Sequence, residues 1–222
     1  MGKLIVIEGT DGSGKSTQFR LLTERLEREG HAFQKLVFPQ YAEESSALIR
    51  MYLAGEFGDK PSDVNAYAAS AFYAVDRYAS YKKVWGEWYE QGGLVLSDRY
   101  TASNAVHQAS KEPVDQRNQY LAWLYDFEYE KLGLPRPDLT IYLDMPTAYT
   151  EQLMRSREAA TGTHADIHEK DLMYLATCRE TGRAAAQFYG WTVIDCVRNG
   201  KMRSIEDIHE EIYRHVARCL EE

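Results

Sequence analysis

One run of eight residues constrains this chain more than any other: Gly9-Thr10-Asp11-Gly12-Ser13-Gly14-Lys15-Ser16, which fits the spacing G-x-x-x-x-G-K-[S/T]. It follows a short apolar stretch, Leu4 to Glu8, and opens an amphipathic one, Lys15 to Glu29. There Phe19, Leu22 and Leu26 share a face, and Gly30 stands at the expected left-handed C-cap. Strand, glycine turn, helix is the setting that gives this spacing its chemistry. Glycines let the backbone wrap an anion with its amides turned inward, and the helix N-terminus adds about half a positive charge. Lys15 then reaches the β and γ phosphates of a nucleotide, and the Ser16 hydroxyl ligates Mg²⁺. Nucleotide phosphates are therefore expected at Gly9, Thr10, Asp11, Gly12, Ser13, Gly14, Lys15, Ser16 and Thr17. The motif does not say which reaction follows.

The rest of the chain repeats the alternation. Ala32 to Phe38, Leu94 to Asp98, Leu139 to Asp144 and Trp191 to Asp195 are further short apolar runs bounded by Gly, Pro or polar residues, with amphipathic stretches between them. Strand then helix, about five times over, predicts an α/β fold whose parallel sheet is covered on both faces through right-handed crossovers. No repeat, low-complexity tract or linker divides the chain, so residues 1–222 are read as one domain. Gly55 to Ser62 and Ala159 to Ala165 read as mobile excursions. In the last helix Ile205, Ile208, Ile212 and Val216 form a stripe read as core.

Charge and cysteine usage exclude some classes. With 26 Lys plus Arg against 34 Asp plus Glu the net charge is −8, which argues against a long nucleic acid as partner, since duplex binding needs a basic face. Cys178, Cys196 and Cys219 have no CxxC spacing and suit a reducing compartment, so the cytoplasm is the expected location. No apolar stretch approaches the ~20 residues of a membrane span. A guanine-reading NKxD is missing, which disfavours a signalling GTPase, and a chain of 222 residues suits a small-molecule kinase better than a motor or transport ATPase.

A second constellation follows the third apolar run: Ser97-Asp98-Arg99-Tyr100, then Thr101-Ala102-Ser103-Asn104. If this strand neighbours the first, Asp98 falls within reach of Mg²⁺ and Arg99 near the phosphates; a simple salt bridge at a strand end is the plainer alternative. Further blocks are Phe38-Pro39-Gln40-Tyr41, Tyr73-Ala74-Val75-Asp76-Arg77, and Pro137-Asp138 leading into Leu143-Asp144. With Glu8 to Thr17 in front, their order and spacing over nearly the whole chain resemble the thymidylate kinases.

That resemblance implies a P-loop NTPase-type three-layer fold with a five-stranded parallel sheet and a lid at about 155–170. It also implies transfer of the ATP γ-phosphoryl group to dTMP with Mg²⁺ as cofactor, in a homodimer. By position it implies that Asp11 reaches the sugar 3′-hydroxyl or its associated water and metal, that Tyr41 touches the acceptor phosphate and that Tyr73 stacks on thymine. Arg77 would hold the acceptor phosphate or the base edge, and Arg99 would bridge donor and acceptor. Ser103, Asn104 and Gln108 would face the base. Tyr73 and Arg77 are four residues apart, so both project from one side of a helix. Two phosphate groups repel, so Lys15, Arg77, Arg99 and Mg²⁺ are expected to supply the countering charge.

Departures from the family pattern matter. Some members carry an arginine in the phosphate loop, where this chain has Gly12, which shifts that role to Arg155 or Arg157 in the lid. Gln40 stands where related sequences often have a charge, and His107 replaces an aromatic residue near the sugar's 2′ edge. Glu169 is placed by the resemblance near the closed site. His164, Asp166, His168 and Glu169 are read as a capped helix start in preference to a zinc site. A deoxynucleoside kinase acting on thymidine, with Glu8 as base, is the alternative enzyme, and a nucleotide-sensing protein with a degenerate site is the non-enzyme alternative. The run Tyr120, Trp123, Leu124, Phe127 suits a dimer face or a core helix equally.

Overall fold

A computed structural model describes residues 1–150, 153, 154 and 172–221. Its main elements in chain order are β1 (Lys3–Gly9), α1 (Lys15–Arg28), β2 (Phe33–Val37), α2 (Ala47–Leu53), α3 (Ala66–Ser80), α4 (Gly86–Glu90), β3 (Leu94–Asp98), α5 (Thr101–His107), α6 (Arg117–Tyr125), β4 (Leu139–Asp144), α7 (Leu172–Tyr189), β5 (Thr192–Asp195) and α8 (Ile205–Glu221), with a short antiparallel hairpin of Val197–Arg198 and Lys201–Met202 before α8. Strands β1 to β5 form one parallel sheet in the order β2-β3-β1-β4-β5.

Period-two alternation in β1 divides the core. Ile5 and Ile7 pack with Phe19, Leu22 and Leu26 of α1 and with Ile208, Ile212 and Val216 of α8, whereas Leu4 and Val6 turn to Leu36, Val95, Trp85 and Tyr100. The expected stripe on α8 holds except at its start: Ile205, the first helical residue, is 49% exposed, and Cys219 continues the stripe instead. Tyr120 and Leu124 are fully buried in the core, whereas Trp123 and Phe127, stacked at 5.1 Å, are half-buried. Burial pushes the Cys178 and Cys196 thiols up to about 12.

Small differences have local causes. The fifth strand begins at Thr192 because the Trp191 N–H bonds back to Ala186 O at 2.9 Å, closing α7. Phe38 leaves β2, yet its N–H still donates to Asp98 O at 3.0 Å. Gly55 to Ser62 is tied down by turns: the Gly58 N–H reaches Gly55 O at 3.2 Å, the Lys60 N–H reaches Asp63 Oδ2 at 3.0 Å, and the Tyr52 hydroxyl donates to Pro61 O at 3.3 Å. The second expected excursion lies outside the described residues.

Because the strands are parallel, Gly9, Val37, Asp98 and Asp144 all end at one edge of the sheet. β1 has β3 on one side and β4 on the other, the switch point where ligands enter such sheets.

Candidate active site

The glycine loop closes on itself through the Ser13 N–H, which donates to Thr10 O at 3.1 Å, and Gly14 enters α1 with φ +89°. Gly12 has φ +76°, and a Cβ there would lie 2.6 Å from Thr150 O and 2.8 Å from the Met154 side chain. No larger residue fits, which gives a steric reason for the missing loop arginine. Lys15 is buried; its Nζ donates to Thr10 O at 3.3 Å and lies 3.7 Å from Asp11 Oδ1. Burial and the nearby Arg99 lower its ammonium below the usual lysine value, against the pull of Asp11, Asp98 and Glu8.

Register brings the second constellation alongside. Ile7 of β1 pairs with Asp98 of β3, so the two strand ends meet at the loop. Asp98 is buried, and its Oδ1 has no hydrogen-bond partner among the described residues, while Ser16 is exposed at the start of α1. A carboxylate oxygen and a hydroxyl make a donor set suited to a hard cation such as Mg²⁺.

Arg99 follows Asp98 with φ +69°, unusual for a residue bearing a side chain, and its N–H is held by Ile7 O at 3.0 Å. Its guanidinium contacts Asp11, stands 3.7 Å from Glu8, donates to Ser103 Oγ at 3.3 Å and meets His107 Nε2 at 3.3 Å. Burial alone would lower it; Asp11, Glu8 and Asp98 more than reverse that and raise it. Glu8 is fully buried and burial raises its carboxyl, although one oxygen accepts from the Gly9 N–H at 2.9 Å and the other from Ser103 Oγ at 2.6 Å.

Beyond Arg99 opens a cleft. Asp11, Tyr41, Tyr73, Arg77, Arg99, Ser103, Asn104, His107 and Gln108 all line it, with Phe38, Pro39, Leu53 and Tyr100. Tyr73 and Arg77 do share a side of α3. Gln108 is buried, with Oε1 unpaired among the described residues. Gln40 is not on the wall; its N–H donates to Asp76 Oδ2 at 2.8 Å. Arg155, Arg157, Glu169 and the His164 to Glu169 group lie outside the described residues.

Arg77 is paired behind the cleft wall: Glu128 accepts from its Nε at 2.7 Å and its Nη2 at 2.5 Å, and both side chains are buried. Glu128 was not legible as a site neighbour, although its spacing from Leu121 and Leu124 puts an acid on an apolar helix face, the one available signal.

Comparison with known proteins agrees with this geometry. The family model described as thymidylate kinase matches residues 7–212. Thymidylate kinase of Mycobacterium tuberculosis strain H37Rv is 32% identical over 198 residues, covering 86% of this chain and 90% of that protein. The human thymidylate kinase is 31% identical over 218 residues, covering 95% and 88%. A solved thymidylate kinase structure from Candida albicans superposes with a TM-score of 0.68 at 21% identity, covering 97% of this chain and 91% of that one, which speaks to the fold. A match running from the first strand into the last helix spans both the loop and the cleft, and it makes this chain a member of the thymidylate kinase family.

Proposed function

We propose that this protein transfers the γ-phosphoryl group of ATP to the 5′-phosphate of dTMP, giving dTDP and ADP. The observation that carries the reading is Arg99, which stands between the phosphate loop, through Asp11, and the cleft lined by Tyr41, Tyr73 and Gln108. Transfer forms a bond from a dTMP phosphate oxygen to the γ-phosphorus and breaks the bond to the β–γ bridging oxygen, which leaves on ADP. Lys15 and Arg99 supply positive charge where the transferring group needs it, so no protein nucleophile is required. Ser16 Oγ and Asp98 Oδ1 would hold Mg²⁺, which when bound neutralises charge on the β and γ oxygens. Tyr73 offers its ring to the base, Tyr41 faces the acceptor phosphate, Asp11 the sugar, and Ser103, Asn104 and Gln108 the base edge. Arg77, already paired, fits the base edge better than the phosphate.

Arg155 and Arg157 are the cations we assign to the lid, because Gly12 leaves no room for one in the loop. Near-normal turnover in both single Ala variants would end that assignment. Glu169 is assigned to the closed site on the same footing. The thymidine-kinase alternative is disfavoured by Glu8, whose two oxygens are committed to Gly9 and Ser103.

A homodimer is part of the proposal: α3 exposes Val75 and Tyr78, at 53% and 39%. Light scattering at twice the chain mass is the expected result. No helix among the described residues is long and apolar enough to cross a membrane; a cytoplasmic location is our reading of three cysteines with no CxxC spacing.

An ADP-release screen over nucleosides and nucleoside monophosphates tests the function. Turnover led by dTMP supports it, and turnover on nucleosides alone contradicts it.

A further inference from the structure

Glu128 lies in the π-helical turn Asp126–Lys131 that continues α6, fully buried and off the cleft wall. Both of its oxygens are saturated. Oε2 accepts from Arg77 Nε at 2.7 Å and Thr101 Oγ1 at 2.8 Å; Oε1 accepts from Arg77 Nη2 at 2.5 Å and Asn104 Nδ2 at 3.1 Å. Two of these donors, Arg77 and Asn104, belong to residues that line the cleft.

The consequence lies in what each has left to offer. An asparagine amide has two N–H donors and one carbonyl acceptor. Glu128 takes one Asn104 donor and Ser70 O takes another at 3.2 Å, so the carbonyl oxygen is the atom Asn104 retains for the cleft. A guanidinium has five N–H donors. Glu128 takes two from Arg77 and Tyr100 O a third at 3.4 Å, which leaves donors on the outer nitrogens. The wall thus presents an N–H donor and a carbonyl acceptor whose polarity is set from behind. A 4-keto, 3-NH pyrimidine offers the complement, an acceptor beside a donor, whereas a 4-amino pyrimidine offers the reverse.

We propose that Glu128 is a positioning residue for acceptor choice: by consuming the inner donors of Arg77 and Asn104 it fixes a cleft wall that admits the thymine or uracil edge and rejects cytosine. The inference rests on reading the cleft as the site of a pyrimidine nucleotide acceptor.

The test compares wild type and Glu128→Gln in ATP-dependent turnover of dTMP, dUMP and dCMP, with the rise in Tm on adding ATP checking that the variant is folded. An amide has one acceptor oxygen in place of two and must turn an N–H toward a donor, releasing the Asn104 amide to rotate. KM for dTMP should rise about tenfold with kcat changed less than about threefold, dUMP should follow dTMP, and the dTMP-to-dCMP ratio of kcat/KM should fall by about tenfold. If the variant does not fold, Thr101→Val, which loosens Glu128 but keeps Arg77 paired, gives the same reading with a fall of about threefold in that ratio. A ratio unmoved within about twofold in a folded variant, even with kcat lowered for all three nucleotides, marks a purely structural role and overturns the inference. Wild type that does not turn over dTMP overturns the acceptor reading and this inference with it; dTMP turnover with an unmoved ratio overturns this inference alone.

Discussion

At the scale of single residues the site depends on where a few backbones are forced to turn. Arg99 adopts φ +69° at the end of β3, a conformation that costs a residue with a side chain about 1 kcal/mol or more, and the turn puts its guanidinium beside Asp11 and the cleft. Arg99→Ala should lower kcat by about a thousandfold while ATP affinity changes only a few-fold, as read by steady-state kinetics and titration calorimetry. Gly12 and Gly14 give a paired test of a steric claim. Both have positive φ, but a Cβ at Gly12 meets Thr150 O at 2.6 Å, whereas one at Gly14 meets nothing within 4 Å. In the absence of nucleotide, Gly12→Ala should lower Tm clearly more than Gly14→Ala does; equal losses would show that backbone conformation alone is at work.

Between elements, two contacts distant in sequence hold the cleft wall. The Arg77–Glu128 pair joins α3 to the turn after α6, and burial, which alone would lower the Arg77 guanidinium, is outweighed by Glu128. Removing Glu128 alone strands a buried cation, so Glu128→Ala should cost about 3–5 kcal/mol in urea unfolding, while replacing both partners with methionine should cost much less. Lys111, just beyond α5, donates to the Tyr52 hydroxyl and to Val64 O, each at 2.9 Å, and so ties the α2–α3 connection to the cleft side. Burial lowers its ammonium from 10.5 to about 7, against the weaker opposing influence of Cys178 and Glu112. Between about 7 and 10.5 the unfolded chain therefore binds more protons at this residue than the folded one, and its contribution to stability rises with pH. Subtracting the unfolding free energy of Lys111→Met from that of wild type should leave a difference that grows across this window; a flat difference would refute it.

These contacts also mark the limit of sequence reading. The five strands were legible because each is a short apolar run between breakers, and the phosphate loop because its chemistry is local, with Gly9 to Ser16 contiguous. The cleft residues became legible only through resemblance, since register and helix packing bring Tyr41, Tyr73 and Gln108 together. Glu128 meets Arg77 across 51 positions and Lys111 meets Tyr52 across 59, separations at which an acid or a lysine on a helix looks the same as a solvated charge. The need for Gly12 likewise comes from Thr150, a neighbour invisible until the chain is folded.

For the molecule as a whole, a net charge of −8 coexists with a centre where Lys15 and Arg99 converge within reach of Glu8, Asp11 and Asp98. Those carboxylates hold the cations in place at the end of a buried strand pair, so the acidic composition says nothing against phosphate chemistry inside. The central claim is that this centre serves an acceptor that already carries a phosphate. It is tested most directly by offering equimolar dTMP and thymidine together with ATP and Mg²⁺ and identifying the products by chromatography. The account predicts that dTDP accumulates while thymidine is left unconverted; conversion of thymidine to dTMP with no dTDP formed would contradict it.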